Sequence, residues 1–210
     1  MKTVGNPSPK CATCKVRKCN YPNREIPFPV SCPRLNYAEV REESIESNWA
    51  NLEFKKINQA SDEVLKKAYG EQGPRLTRVE ELIEYTNTLG YKKLGIAFCV
   101  GLWEEARILT EILEKKGFEV ISVCCAAGAT LGELGLEQQI ECNPLMQAEV
   151  LNRENTDLNI MMGLCIGHDI LFTKTSNADV TTLVVKDRVT GHNPIVALYT
   201  AHSFYRKRFG

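Results

Sequence analysis

The sequence predicts an α/β fold: an open, mainly parallel four-stranded sheet in the order 2-1-3-4, with helices on both faces, preceded by a helical segment and a small four-cysteine N-terminal lobe. Three observations point there. From Lys92 onward, short apolar runs alternate with segments of helical pattern. The runs are nearly continuously apolar, as parallel strands covered on both faces are. Right-handed crossovers with one reversal of winding then give the order 2-1-3-4, because that winding covers both faces of a small sheet.

Residues 1–35 hold seven basic residues, one acidic residue and six of the nine prolines, with too little apolar content for a core of their own. They read as a separate lobe. Residues 36–90 read as helical: Tyr37 to Lys56 and Ala60 to Tyr69 contain almost no Pro or Gly, and Gly70 with Gly73-Pro74 then punctuates the chain. A third helix, from about Leu76 to Leu89, carries Leu76, Val79, Leu82, Ile83 and Leu89 as an apolar stripe and stops at Gly90. Residues 91–210 read as a Rossmann-like or flavodoxin-like domain. Its strands are KKLGIAFC (92–99), FEVISVCC (118–125), LNIMMGLC (158–165) and VTTLVVKD (180–187). Between them lie a helix closed by Gly117, a glycine-rich loop with a short helix near 145–155, and a helix from His168. A closing helix over 193–209 takes Asn193 as N-cap and Pro194 at its first position.

Composition narrows the function. The 210 residues carry 26 basic and 26 acidic side chains, and a chain of zero net charge is a poor general binder of nucleic acid. The longest stretch without Asp, Glu, Lys or Arg, Val189 to Tyr205, contains Thr, His, Asn and Pro, so no membrane span is expected. MKTVGNPSPK lacks the apolar run of a signal peptide, which points to the cytoplasm. Nine cysteines are then the anomaly, because an odd number of thiols in a reducing compartment suggests metal ligation or thiol chemistry rather than a disulfide framework.

Four of them, Cys11, Cys14, Cys19 and Cys32, follow the pattern Cys-x2-Cys-x4-Cys-x12-Cys. Four thiolates on a short segment match tetrahedral all-sulfur coordination, and zinc is the first expectation. Lys15, Arg17, Lys18, Arg24 and Arg34 surround them and offset the charge of a zinc tetrathiolate. An iron–sulfur cluster is the rival, since Cys32-Pro33 matches the ending of cluster-binding runs.

The other cysteines select one edge of the sheet. Cys99 ends the first strand, Cys124 and Cys125 the second, Cys165 the third, and Lys186-Asp187 the fourth. In an open parallel sheet these points share the carboxyl edge, where ligands bind. IAFCVG and MGLCIG are alike, so Gly101 and Gly167 are expected to let backbone approach a ligand, with helix amides facing an anion or thiolate. Cys142, in the loop after the second strand, is expected to bring a further sulfur. Of the adjacent pair only one can face the site along a strand, and Cys125, further into the loop, is expected to do so. His168 and Asp169 follow Cys165, and Lys186, Asp187, Arg188 and His192 converge on the same edge as candidates to handle protons or neutralise an anion. Capping histidines and a solvated loop are the plain readings of the same residues. His202 reads as structural.

The chain resembles a family of small proteins of unknown function from anaerobic bacteria and archaea, described as metal-binding. CATC-x4-C, GIAFCVGLWEEA, CNPLMQAEVLN, GLCIGHDILF and VKDRVTGHNP carry the resemblance. It implies bound metal and supplies no reaction. One departure is Ala126, where the family is expected to place a lysine after the paired cysteines, so one charged group of the site is absent here. Four functions are compatible with these residues. The leading one is a metalloprotein with a zinc site in the lobe and a second zinc or iron–sulfur centre on Cys99, Cys124 or Cys125, Cys142 and Cys165. The others are a metal-free enzyme with Cys165 or Cys99 as nucleophile and His168 or His192 as base, a thiol-redox protein pairing Cys99 with Cys165 or Cys124 with Cys142, and a non-catalytic metal-handling module. The expected partner is a small anionic substrate or a redox partner.

Overall fold

A computed structural model describes residues 7–21, 25–71, 73–128 and 142–210. The chain divides into two units, Met1–Gln59 and Ala60–Gly210. In the first, a short 3-10 turn, Cys11–Thr13, is followed by α1 (Pro33–Asn36) and α2 (Ala38–Ala50). Helix α3 (Leu52–Ala68) starts at Asn51, whose side-chain oxygen accepts from the amides of Glu53 (2.9 Å) and Phe54 (3.1 Å). That cap moves the helix break from the expected stretch after Lys56 to Asn51.

The second unit is built on four parallel strands: β1 (Lys93–Phe98), β2 (Glu119–Cys124), β3 (Leu158–Met162) and β4 (Asp179–Val184). Their order is β2-β1-β3-β4, as the sequence predicts. Before the sheet, a two-residue antiparallel bridge joins Tyr69–Gly70 to Gly73–Pro74. Helix α4 (Arg78–Leu89) begins with a capping box, in which Thr77 and Glu80 exchange hydrogen bonds, and ends on Gly90 at φ 74°.

Alternation along the strands sorts the core into two faces. Leu94, Ile96, Phe98, Leu158, Ile160 and Met162 pack on α4 and on Leu109 and Leu113 of α5 (Trp103–Lys115). Ala97, Cys99, Val123, Cys125 and Met161 face the other way, against Ala148 and Leu151 of α6 (Pro144–Arg153) and Phe172 of α7 (Ile166–Thr175). Helices therefore cover both faces, and the winding reverses between β1 and β3. A crevice at the carboxyl ends of those two strands follows from that reversal. Where β3 advances from Met161 to Met162, β4 advances from Thr182 to Val184, so Leu183 is an extra residue just before the chain leaves the sheet. Such a bulge re-aims the side chains that follow it.

The C-terminus departs from the expected single helix. Helix α8 (Ile195–Tyr199) is capped by Pro194 rather than by the Asn193 side chain, turns follow, and α9 (Arg206–Phe209) is separate. Thr200 donates its hydroxyl to the Val196 carbonyl at 2.7 Å, and the chain folds so that the buried Tyr205 ring meets Phe204 and Phe209 at centroid distances of 5.0 and 5.8 Å. His202 is exposed in the intervening turn. No helix of the described residues is long and apolar enough to cross a membrane.

Candidate functional site

Each strand overshoots by one to three residues, and those extra residues build the site. Cys99 extends β1, its amide donating to the Met162 carbonyl at 3.1 Å, and Cys125 extends β2, donating to the Phe98 carbonyl at 2.8 Å. Both side chains are buried on the α6–α7 face of the sheet. The chain then returns through Asn143, whose amide donates to the Cys125 carbonyl at 2.9 Å while its side chain caps α6 by accepting from Met146. This return sets Cys142 Sγ 3.4 Å from Cys125 Sγ. The preceding residues of the glycine-rich loop, 129–141, lie outside the described residues. The expected pairing of Cys142 with Cys124 thus gives way to one with Cys125: Cys124, the last residue of β2, is only partly buried between the two core faces.

A cation completes the cluster. The Lys186 ammonium, two residues beyond β4, contacts Cys99 Sγ directly. The Gly101 amide points at the same sulfur from 3.5 Å, and the Val100 amide donates to Cys125 Sγ at 3.3 Å. Burial works to raise the Cys99 pKa, but the Lys186 hydrogen bond, the Gly101 amide, the Lys186 charge and the Cys125 thiol outweigh it and hold Cys99 below the ordinary thiol range. Cys125 goes the other way. Burial, joined by Cys142 and by negative charge on Cys99, pushes it up to about 12 despite the Val100 amide. One sulfur is therefore ionised more readily than its neighbour, which stays a thiol.

The remaining candidates divide. Cys165 is the N-cap residue of α7, three residues beyond β3, and Arg188 donates to its sulfur at 3.5 Å. The Cys165 contact is what raises the Arg188 guanidinium further, with smaller contributions from the charges of Cys99 and Cys142. Asp169 is half-buried in the first turn of α7. Burial raises its carboxyl, with His168 and Lys186 pulling it down. Asp187 and His192 are engaged in the turn itself: Asp187 accepts from the amides of Val189 (2.9 Å) and Thr190 (3.0 Å), and His192 Nδ1 accepts from the Asp187 amide at 3.1 Å. His192 takes φ 63° to do so. These two residues shape the turn that presents Lys186 and Arg188. Gly101 contributes its amide, whereas Gly167 is exposed on α7 with open space around it.

The first unit holds the other cysteines. Cys11, Cys14, Cys19 and Cys32 all line one cavity of about 350 Å³. Its wall includes Phe28, with the Lys18 ammonium 5.0 Å and the Arg34 guanidinium 5.4 Å from the ring centre. Cys11 and Cys14 are joined by the 3-10 turn, and the Cys32 amide is fixed by the Pro29 carbonyl at 2.8 Å. Among the described residues, no group of three or more His, Cys, Asp or Glu side chains is arranged to hold a metal ion. The donor set is nonetheless all sulfur and shares one cavity, which is the chemistry a soft divalent ion takes.

Three supporting residues lie outside the candidates that the motifs mark. Gly163 has φ 60°, and a Cβ there would lie 2.3 Å from Leu102 Cδ1 and 3.9 Å from Lys186 Cε, so its bare backbone makes room beside the site. Its place inside the apolar run MMGLC was the available signal. Gln147 is buried and donates to the carbonyls of Phe98 (3.2 Å) and Val123 (2.7 Å), tying the ends of β1 and β2 to α6. Asn159, also buried, sits over Gly95 in the neighbouring strand and is held by Thr156 and Ser176, both at 2.8 Å.

The family model described as "Protein of unknown function (DUF1847)" matches residues 32–183. That span contains Cys32 and every cysteine of the sheet edge, and its description names neither a metal nor an activity. An uncharacterised protein of Methanocaldococcus jannaschii is 51% identical over 139 residues, covering 63% of this chain and 70% of that protein.

Proposed function

The chain belongs to the DUF1847 family, and we propose that it is a zinc-binding cytoplasmic protein whose working site is a thiolate centre at the carboxyl edge of its sheet. Cys99 is the nucleophile. Lys186 and the Gly101 amide favour its ionised form, and Lys186 with Arg188 receives an anionic group of a small substrate. The observation that carries this reading is the contact between the Lys186 ammonium and Cys99 Sγ at the point where the winding of the sheet reverses. A thiolate formed there attacks an electrophilic atom of the substrate, and the amides of Val100 and Gly101 lie beside the sulfurs to meet developing negative charge.

Cys11, Cys14, Cys19 and Cys32 would hold the zinc, whose bound form supplies the lobe with a fold that its own apolar content does not. A second soft-metal centre, zinc or iron–sulfur, would draw on Cys99, Cys125, Cys142 and Cys165, and the 3.4 Å between the sulfurs of Cys125 and Cys142 favours it.

Zinc, iron and acid-labile sulfide, measured on protein purified without oxygen, separate the two. The proposal expects about one zinc per chain, as a tetrahedral all-cysteine site takes. That zinc is lost in Cys11→Ser/Cys14→Ser and kept in Cys99→Ser. Iron with sulfide would overturn the zinc assignment, and metal lost in Cys99→Ser would place metal at the edge and overturn the metal-free thiolate reading.

A further inference from the structure

We propose that Cys125 and Cys142 are a redox-active dithiol, oxidised to a disulfide through Cys99 by an anionic low-molecular-weight disulfide. The inference rests on the reading of Cys99 as the attacking thiolate and adds to it a substrate class and two further reacting sulfurs.

Geometry carries it. The two sulfurs stand 3.4 Å apart, and the backbone on either side of them is already fixed, since the Asn143 amide donates to the Cys125 carbonyl at 2.9 Å. Bringing the sulfurs to a bonding distance of about 2.05 Å therefore asks for side-chain rotation rather than a rearrangement of strands. The amide of Val100, the residue after Cys99, donates to Cys125 Sγ at 3.3 Å, and Cys99 and Cys125 belong to the same buried cluster, so the Cys125–Cys142 pair lies beside Cys99. Cations lie on the Cys99 side of that pair, where Lys186 contacts Cys99 and Arg188 donates to Cys165 at the end of the neighbouring strand. A disulfide bearing carboxylates fits that side.

The steps balance. The Cys99 thiolate attacks one sulfur of RSSR, the S–S bond breaks, and RS⁻ leaves to be protonated by solvent, giving a Cys99–SR mixed disulfide. Cys99 is now neutral, so the Lys186 charge is available to the next thiolate formed beside it. Cys125 loses its proton to solvent and attacks the Cys99 sulfur, expelling the second RS⁻. Cys142 in turn loses its proton and attacks Cys125, which releases the Cys99 thiolate. Overall, RSSR and two thiols become the Cys125–Cys142 disulfide and two RSH, with Cys99 returned to its starting form.

The full-length protein, purified without oxygen, is treated with glutathione disulfide, quenched with acid, alkylated and cleaved after glutamate, which separates Cys125 from Cys142 in the sequence. Mass spectrometry is expected to find the two fragments linked, with the link retained in Cys124→Ser and formed at least tenfold more slowly in Cys99→Ser. Linkage through Cys124 or between Cys99 and Cys165, absence of any link, or an unchanged rate in Cys99→Ser would overturn the proposal. Should no link form while Cys99 alkylation still depends on Lys186, the thiolate reading stands and the dithiol alone fails. Should Cys99 alkylation be indifferent to Lys186, the reading beneath it fails first.

Discussion

Replacing Lys186 by methionine keeps most of the side chain's length and removes the charge that touches Cys99 Sγ. A hydrogen bond to a charged group contributes about 1.5–3 kcal/mol. On the acid side of the native midpoint its loss lowers the thiolate population by about 10- to 150-fold, since about 1.4 kcal/mol is a factor of ten. The rate falls by less, because a more basic thiolate is intrinsically more nucleophilic with a Brønsted coefficient of about 0.4–0.5. The two factors together predict that Cys99 in Lys186→Met reacts with iodoacetamide about 4- to 16-fold more slowly at pH values below the native midpoint. Cys99 sits below the ordinary thiol range in the native protein, so the deficit shrinks as pH rises from the native midpoint toward that of the variant. Once both thiols are ionised the order reverses, because the variant's thiolate is the more basic. The assay is the alkylation rate of the peptide containing Cys99 across pH, read by mass spectrometry, with circular dichroism to confirm the fold. Equal rates at every pH, or a deficit that persists under strongly alkaline conditions, would refute the assignment of Lys186 as the group that ionises Cys99.

The remaining predictions follow from the same geometry. Arg188→Gln should slow alkylation of Cys165 by less than about fivefold, because an exposed contact at 3.5 Å is screened by solvent. A larger loss would make Arg188, rather than Lys186, the principal cation of the edge. Gly163→Ala combines the penalty for a non-glycine residue at φ 60° with an overlap against Leu102, together about 2–5 kcal/mol, and should lower the melting temperature by at least several degrees. A melting temperature unchanged from wild type would show that the site does not need the bare backbone at this position. Cys125 keeps its proton up to about pH 12 in the folded chain, whereas an unfolded thiol ionises near 9.0, so its contribution to stability is complete below pH 9 and is lost as pH rises toward 12. Cys125→Ala should therefore lose less stability than wild type between pH 9 and 12, and equal slopes in thermal melts would count against a buried neutral thiol.

Much of the sheet was legible because its signals are local. Nearly continuous apolar runs mark β1 and β3, and the apolar stripe from Leu76 to Leu89 with Gly90 behind it marks α4. The strand order follows from how such units wind, and the carboxyl edge follows from the order. Cysteines placed at strand ends were then bound to meet there; strand alternation allows only one of Cys124 and Cys125 to face the site, and Cys125 was preferred because it lies further into the loop. What was not legible depends on contacts between distant segments. Nothing local in VTTLVVKD announces that Leu183 is an extra residue opposite the Met161–Met162 step, yet the bulge lies three residues before Lys186. The pairing of Cys142 with Cys125 depends on the Asn143 amide reaching the Cys125 carbonyl, a contact across 18 positions. Asp187 and His192 read as proton-handling candidates because their side chains are suited to it, whereas the left-handed turn they close is visible only in the backbone. The closing helix was lost to Tyr205, whose burial among its aromatic neighbours outweighs the helical pattern of 193–209. Gln147 and Asn159 carried no local signal, because what they satisfy is the carbonyls and hydroxyls of other elements.

The most direct test of the account is the pH at which each of the nine cysteines becomes half-reactive, measured by competitive isotopic alkylation of the zinc-loaded, reduced protein. The account predicts that Cys99 has the lowest midpoint of the five sheet-domain thiols, that Cys125 reacts only under strongly alkaline conditions, and that the four N-terminal cysteines are protected until zinc is removed. A Cys99 midpoint at or above that of Cys165 or Cys142 would contradict the claim that this edge of the sheet is built to hold a thiolate.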